Sequence, residues 1–418
     1  MSPIELSPVF FLAVVVILLT CRLVVAVTTR LGQPPVVGEM IAGVLLGPSL
    51  FGLLAPGVSD AVFPAELKPV LYVAGQIGLV ALMFHAGYEF RAHASRGLVG
   101  TAAAVSAAGA TIPLLLGVGL AIVAHGHVPL FVDGVSMWVT ASFVGVALAI
   151  TAFPMLARII TERGLSGTRF GSLALASGAT DDALAWILLA GVLSAAAGDT
   201  GHVLTTVGGT VLFVAVLLVV GRRLLAWIVD QAQLSDETRL LGTVAVLFCA
   251  AWFTDAIDLY AVFGAFCVGM TMPNSRAAEN LVKTIQPVTQ VVFVPVFFTY
   301  SGLNTRFDVF ADSSVTLFAA AAVVLAVAGK FGGCWVAARL RGEPRSVAVR
   351  VGALMNARGL MQLIALNIGL AAGIVSQALF STLVLVALVT TVMTSPVLEW
   401  LDRRDARAKE SAPEAVPA

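Results

Sequence analysis

Charge is what this sequence has least of. Only 11% of its 418 residues are Asp, Glu, Lys or Arg, against about 25% in an average soluble domain. Acidic and basic residues number 24 each, so the formal net charge is zero. A nucleic-acid binder needs a basic face, and none is present. Cysteine is scarce as well. Cys21, Cys249, Cys267 and Cys334 stand singly inside apolar runs. Such spacing supplies neither a disulfide framework nor a metal site, so all four read as small core residues. The remainder is apolar: 59% of residues are hydrophobic, with a mean hydropathy of +0.98. Soluble cores stop growing at roughly 250–300 residues, so the bilayer is the natural solvent for this chain. The first apolar run, Pro8 to Thr28, has no basic segment before it and no small-residue cleavage site. It is expected to be a spanning helix and not a signal peptide.

Apolar runs of about 20 residues mark helices that cross a membrane. About 13 are expected, centred near Val15, Ala42, Val80, Leu115, Ala147, Leu184, Phe213, Val246, Gly264, Val292, Val323, Leu360 and Leu388. The ninth is short, and the fifth and twelfth are irregular. The fold class expected is an all-α polytopic membrane protein. Loops after odd-numbered helices carry the arginines, among them Arg30, Arg163, Arg222, Arg223, Arg276, Arg339, Arg341 and Arg345. Loops after even-numbered helices carry mainly Lys68 and Arg306, with Asp60, Glu66, Asp133, Asp308 and Asp312. Cytoplasmic loops collect Lys and Arg. The N-terminus is therefore expected outside and the C-terminus in the cytoplasm, with residues 402–418 as a disordered cytoplasmic tail.

Ionisable groups inside spans are costly and usually mark a pathway. Asp181 and Asp182 sit midway through the sixth helix, in Thr-Asp-Asp-Ala-Leu-Ala-Trp. Lys330 sits in the eleventh, Arg358 in the twelfth and Glu39 at the start of the second. Neighbouring helical residues diverge by about 100°, so one aspartate can face a partner helix and the other a cavity. Two anions this close need a compensating cation, and Lys330 is the only lysine inside a span. The expectation is that Asp181 pairs with Lys330 and Asp182 faces a water-filled route. Lys330 has the alternative of snorkelling to a helix end. A lone intramembrane carboxylate holds either a proton or a cation, and both want the same oxygens. For a hard monovalent ion, carbonyls and Ser or Thr hydroxyls would complete the shell.

Two spans look broken. The fifth carries Thr151 and Pro154 at mid-membrane, and the twelfth carries Asn356, Arg358 and Gly359. Proline removes a backbone donor and crowds the preceding turn. Interrupted helices in corresponding halves point to an ion site at the midplane. Helices four to six and eleven to thirteen are then expected to be inverted-repeat partners. Arg358 would neutralise carbonyl ends where the broken helices meet, or else lie in a cytoplasmic loop. His85 reads as a packed or wet histidine, with tuning of a pH response as the alternative.

Four segments resemble the second branch of the monovalent cation:proton antiporter superfamily, which includes bacterial sodium/proton antiporters and Kef-type potassium/proton exchangers. They are Pro35 to Pro48 (Pro-Val-Val-Gly-Glu-Met-Ile-Ala-Gly-Val-Leu-Leu-Gly-Pro), Phe153 to Arg158 with Glu162-Arg-Gly, Thr180 to Trp186, and Leu354 to Leu360 (Leu-Met-Asn-Ala-Arg-Gly-Leu). The resemblance implies inverted repeats with two discontinuous helices that cross. It implies core helices over about 98–197 and 314–401, dimerisation helices over about 8–90 and 203–302, and one transmembrane domain over 1–400. It implies a homodimer in the plasma membrane that moves its core like an elevator and serves pH homeostasis. Asp182 would then bind the ion, with Asp181 and Thr151 beside it, and Lys330 would pair with Asp181. A double aspartate with a lysine is similar to electrogenic members, and sodium is the first cation expected. No cofactor is implied beyond the transported cation and protons, and the partners are lipid and a second copy of the chain. Three departures stand out, the first being His85 and Tyr88 where residues are commonly apolar. Gln362 replaces a common Glu just after Arg358, and the Kef-type regulatory nucleotide-binding domain is not expected in this chain.

Rival readings make different demands. An intramembrane aspartyl protease needs its two acids on different helices sharing a proton, and these two are adjacent on one. A channel needs a pore filter, and none is legible. A sodium-coupled symporter of an organic anion on a related fold would have no need of Lys330.

Overall fold

In a computed structural model, residues 2–93, 98–165, 167–197, 200–231, 233–257 and 259–410 are described. Every extended element among them is helical. Among the described residues, twelve helical segments are long and apolar enough to cross a membrane, and a shorter apolar helix, Ala261–Thr271, stands where the short ninth span was expected. The helices are α1 (Pro3–Arg30), α2 (Pro35–Leu46), α3 (Lys68–His93), α4 (Val99–Ala124), α5a (Met137–Ala149) with α5b (Phe153–Glu162), α6 (Arg169–Ala197), α7 (Thr200–Val216, through a π-helical turn into Arg222–Asp230), α8 (Asp236–Ala256) and α9 (Ala261–Thr271). They continue with α10 (Arg276–Val288, through a π-helical turn into Val294–Leu303), α11 (Ser313–Leu340), α12a (Arg345–Met355) with α12b (Leu360–Ala371), and α13 (Gln377–Glu410).

Local sequence sets many of the ends. Pro35 opens α2, where a missing amide costs nothing. Ser235 and Ser275 cap α8 and α10 by accepting the amides of Thr238 and Ala278. Asp312 caps α11, and its bonds from the Ser314 hydroxyl and amide hold its carboxyl below the usual carboxylate range.

Packing divides the helices by neighbour. α4, α5a, α6, α11, α12a and α13 pack on one another, while α1, α2, α3, α8, α9 and α10 form a second group. Glycine permits the closest approaches. A methyl group on Gly43 or Gly302 would run into the backbone of the opposite helix, which brings α2 and α10 into backbone contact. α12b is the most enclosed element, with Leu360 to Gly369 all buried. α1 instead turns Phe11, Leu19 and Leu23 outward, each more than 60% exposed, as suits a face set against lipid or another subunit. The chain beyond Leu401 departs from the expected disordered tail. α13 continues through Glu410, and Arg350 on α12a pairs with Asp402 at 2.5 Å. Residues 411–418 lie outside the described residues.

Candidate ion site

Both irregular spans are interrupted helices, and their gaps meet. α5 unwinds over Ile150 to Ala152 and restarts with Pro154 in its first turn, the one place in a helix where proline needs no amide bond. α12 unwinds over Asn356 to Gly359 and restarts at Leu360. Gly359 has φ +120°, a conformation that favours glycine. At the crossing the Ala152 amide donates to the Ala357 carbonyl at 3.3 Å, and Thr151 Oγ1 lies 3.4 Å from the Met355 carbonyl.

Each broken end leaves backbone groups that need partners in a dry interior. At the carbonyl end of α5a, Lys330 Nζ donates to Ala149 O at 2.6 Å and Arg358 Nη1 to Ala147 O at 3.0 Å. At the amide end of α5b, Phe153 N donates to Asp182 Oδ1 at 3.4 Å. Cations thus sit at the negative end of one half-helix and a carboxylate at the positive end of the other, as the helix dipoles favour.

The two aspartates differ in what their oxygens already hold. Both oxygens of Asp181 are partnered: Oδ1 accepts the Ser106 hydroxyl, and Oδ2 accepts Thr151 Oγ1 at 2.8 Å and Lys330 Nζ at 2.6 Å. Asp182 is fully buried, and its Oδ2 has no hydrogen-bond partner among the described residues. Lys330 is also fully buried and ion-paired with Asp181, so it does not snorkel.

The remaining predicted residues take supporting places. Arg358 is fully buried, which excludes the loop alternative, and it bridges α5a to the Ala326 carbonyl of α11 at 3.4 Å. Asn356 ends α12a with its side chain buried. Gln362 is buried one turn into α12b, where Nε2 donates to Leu383 O at 3.2 Å. Sequence reasoning missed Ser106, one more small residue in an apolar helix, and it cannot identify main-chain partners such as Ala147 and Ala149.

A cavity of about 300 Å³ runs between the two helix groups beside α5b. Pro154, Met155, Arg158 and Leu360 line one side, and Glu39, His85, Glu89 and Gln286 line the other. It therefore reaches the residues that begin both second half-helices. His85 Nε2 lies 3.0 Å from Gln286 Nε2 and 3.2 Å from Glu89 Oε1. A second cavity, about 500 Å³, lies at the opposite end of α5 near Ser136, Ser194, Tyr260 and Gly373. Between its end of the bundle and the crossing, Ile150, Ala185, Trp186 and Met361 pack around a void of only about 10 Å³.

A family model described as sodium/hydrogen exchanger, transmembrane, matches residues 14–401. The chain belongs to the sodium/hydrogen exchanger family. It is thus a member of the monovalent cation:proton antiporter superfamily, a cation/proton antiporter and not an enzyme. Among its relatives, the Na(+)/H(+) antiporter NhaS4 of Synechocystis is 33% identical over 92% of this exchanger and 95% of its own length. The K(+)/H(+) antiporter 1 of Saccharomyces cerevisiae is 30% identical over 95% of this exchanger and 46% of its own length. The exchanger spans about half of that longer relative. A solved structure of the sodium proton antiporter MjNhaP1 from Methanocaldococcus jannaschii superposes with a TM-score of 0.64. At 14% identity, over 94% of this chain and 95% of that one, the likeness shows the fold alone.

Proposed function

We propose that this exchanger moves sodium against protons, with Asp182 as the carboxylate that holds one or the other. The observation that carries the reading is the contrast between adjacent acids: Asp181 accepts three donors, while buried Asp182 keeps an oxygen with no partner. An unpartnered buried carboxylate oxygen is costly unless it takes a proton or a cation. A hard ion accepts oxygen ligands. The Thr151 hydroxyl and carbonyls freed by the two breaks lie beside the aspartates to supply them. Sodium is the first cation on the strength of the resemblance to NhaS4, with lithium and potassium as the alternatives to be compared. The Asp181–Lys330 pair supports electrogenic exchange.

The helices over 98–197 and 314–401 form the moving core, and those over 8–90 and 203–302 form the scaffold of a homodimer. The exchanger lies in the plasma membrane with its N-terminus outside. The α5b cavity, lined along α5b from Pro154 to Thr161, is then the cytoplasmic entry. Glu39 and Glu89 at its wall favour cations there. The cation and the protons are cargo, and no cofactor is invoked.

The test is proton flux in proteoliposomes containing a pH-sensitive dye, with sodium, potassium and lithium added in turn. Wild type should release protons on a sodium pulse, and Asp182→Asn should give none while folding normally. Because proton and cation compete for one carboxylate, the apparent KM for the cation should rise as pH falls. Exchange retained by Asp182→Asn, or a pH-independent KM, overturns the assignment.

A further inference from the structure

Hydroxyls on these helices mostly bond back to their own chain. Ser177, Thr180, Thr254, Thr271 and Thr390 each donate to a carbonyl three or four residues earlier, the usual local option. Ser106 does otherwise. It is fully buried on α4, and its hydroxyl crosses to α6 to donate to Asp181 Oδ1. Small residues bring α4 close to α11, which carries Lys330. One turn along α4, a Cβ added at Gly109 would stand 2.5 Å from Cys334 Sγ and 3.8 Å from the Lys330 stem, and one added at Gly333 would stand 3.0 Å from the Ala108 carbonyl oxygen. α4 and α11 thus approach closely beside the Asp181–Lys330 pair, and α4 packs on α6 as well, where the short serine side chain reaches Asp181.

Oδ2 of Asp181 has two donors, but among the described residues Oδ1 has Ser106 alone. Without that hydroxyl, Asp181 would carry a buried, unpartnered oxygen like that of Asp182. Resting on the reading of Asp182 as the ion carboxylate, we infer that Ser106 is a positioning residue that withdraws Asp181 from exchange. By occupying Oδ1 it leaves Asp182 as the one carboxylate open to proton or cation.

Removing the hydroxyl frees a second oxygen for which protons compete. In proteoliposomes, Ser106→Ala should move the pH of half-maximal exchange upward by about one unit, the size of a lost hydrogen bond to a charged group. Its apparent KM for sodium at neutral pH should rise several-fold. Ser106→Thr keeps the hydroxyl and should restore the wild-type profile, which a merely space-filling role does not require. If Ser106→Ala does not fold, Ser106→Cys, a much weaker donor of similar size, should give the same direction of shift. Unshifted profiles in both variants, with Asp182→Asn inactive, overturn the role of Ser106 alone. Activity in Asp182→Asn overturns the reading beneath it.

Discussion

Asp181 and Asp182 are the same residue type in the same helical turn, and their surroundings give them different chemistry. Asp181 points at α4 and α11, where Ser106 and Lys330 meet it, and Asp182 points at the first amide of α5b. The Asp181–Lys330 contact is a fully buried ion pair. Such pairs add little net stability when compared with an apolar replacement, but removing one partner strands a charge and costs about 3–5 kcal/mol. Lys330→Ala should therefore lower the melting temperature of the purified protein markedly. Adding Asp181→Asn should recover part of the loss, since the two effects are coupled. Equal melting temperatures for wild type and Lys330→Ala would mean that the pair contributes nothing to the fold. The pairing was legible in the sequence because a lysine and a double aspartate in apolar spans have few other solutions. Ser106 was not, because a single serine in an Ala- and Gly-rich helix has no local feature to separate a cross-helix donor from a back-bonded one.

At the scale of the element, the two broken helices were legible for unequal reasons. Pro154 announces its break through its own covalent structure. The break in α12 carries no proline, and only the conjunction of Asn356, Arg358 and Gly359 in an apolar run hinted at it. What holds it open is Gly359 at φ +120°, against the Met40 sulfur, which would lie 3.2 Å from an added Cβ. Strained placement of a non-glycine residue costs of order 1–3 kcal/mol. Gly359→Ala should thus destabilise the protein by about that much and depress exchange by shifting the Ala357 carbonyl and Arg358. Gly191→Ala, at an α6 position with open space around an added Cβ, should leave both melting and flux unchanged. Loss of exchange in both variants, or in neither, would detach the break from transport. The short ninth helix was likewise foreseen, whereas the helical course of 402–410 was not. Its polar composition suggests disorder, and the Arg350–Asp402 contact that accompanies the helix joins residues far apart in sequence.

At the scale of the molecule, the proposed movement requires contacts between the two helix groups that break and reform. One such contact is buried: Asn367 Nδ2 on α12b donates to Ser301 Oγ on α10 at 2.7 Å. Within the group proposed to move, Arg169 at the start of α6 grips buried Glu343, in the loop before α12a, with two bonds of 2.8 Å, which suits a body that moves as one. Cysteines at both 301 and 367, introduced into a variant without the native cysteines, should cross-link and stop exchange, and reduction should restore it. Full exchange by the cross-linked protein would exclude relative movement at this contact and with it the elevator.

The sequence by itself determined the solvent, the number of spans, the positions of both helix breaks and the few charges that lie among them. These follow from composition, run length and covalent geometry, which act locally. Only the tertiary structure decided which oxygen of which aspartate is left without a partner. That depends on α4, α5, α6, α11 and α12 converging on one point. Hydrogen bonds there join residues 75, 149 and 204 positions apart, and no local pattern encodes which donors arrive first.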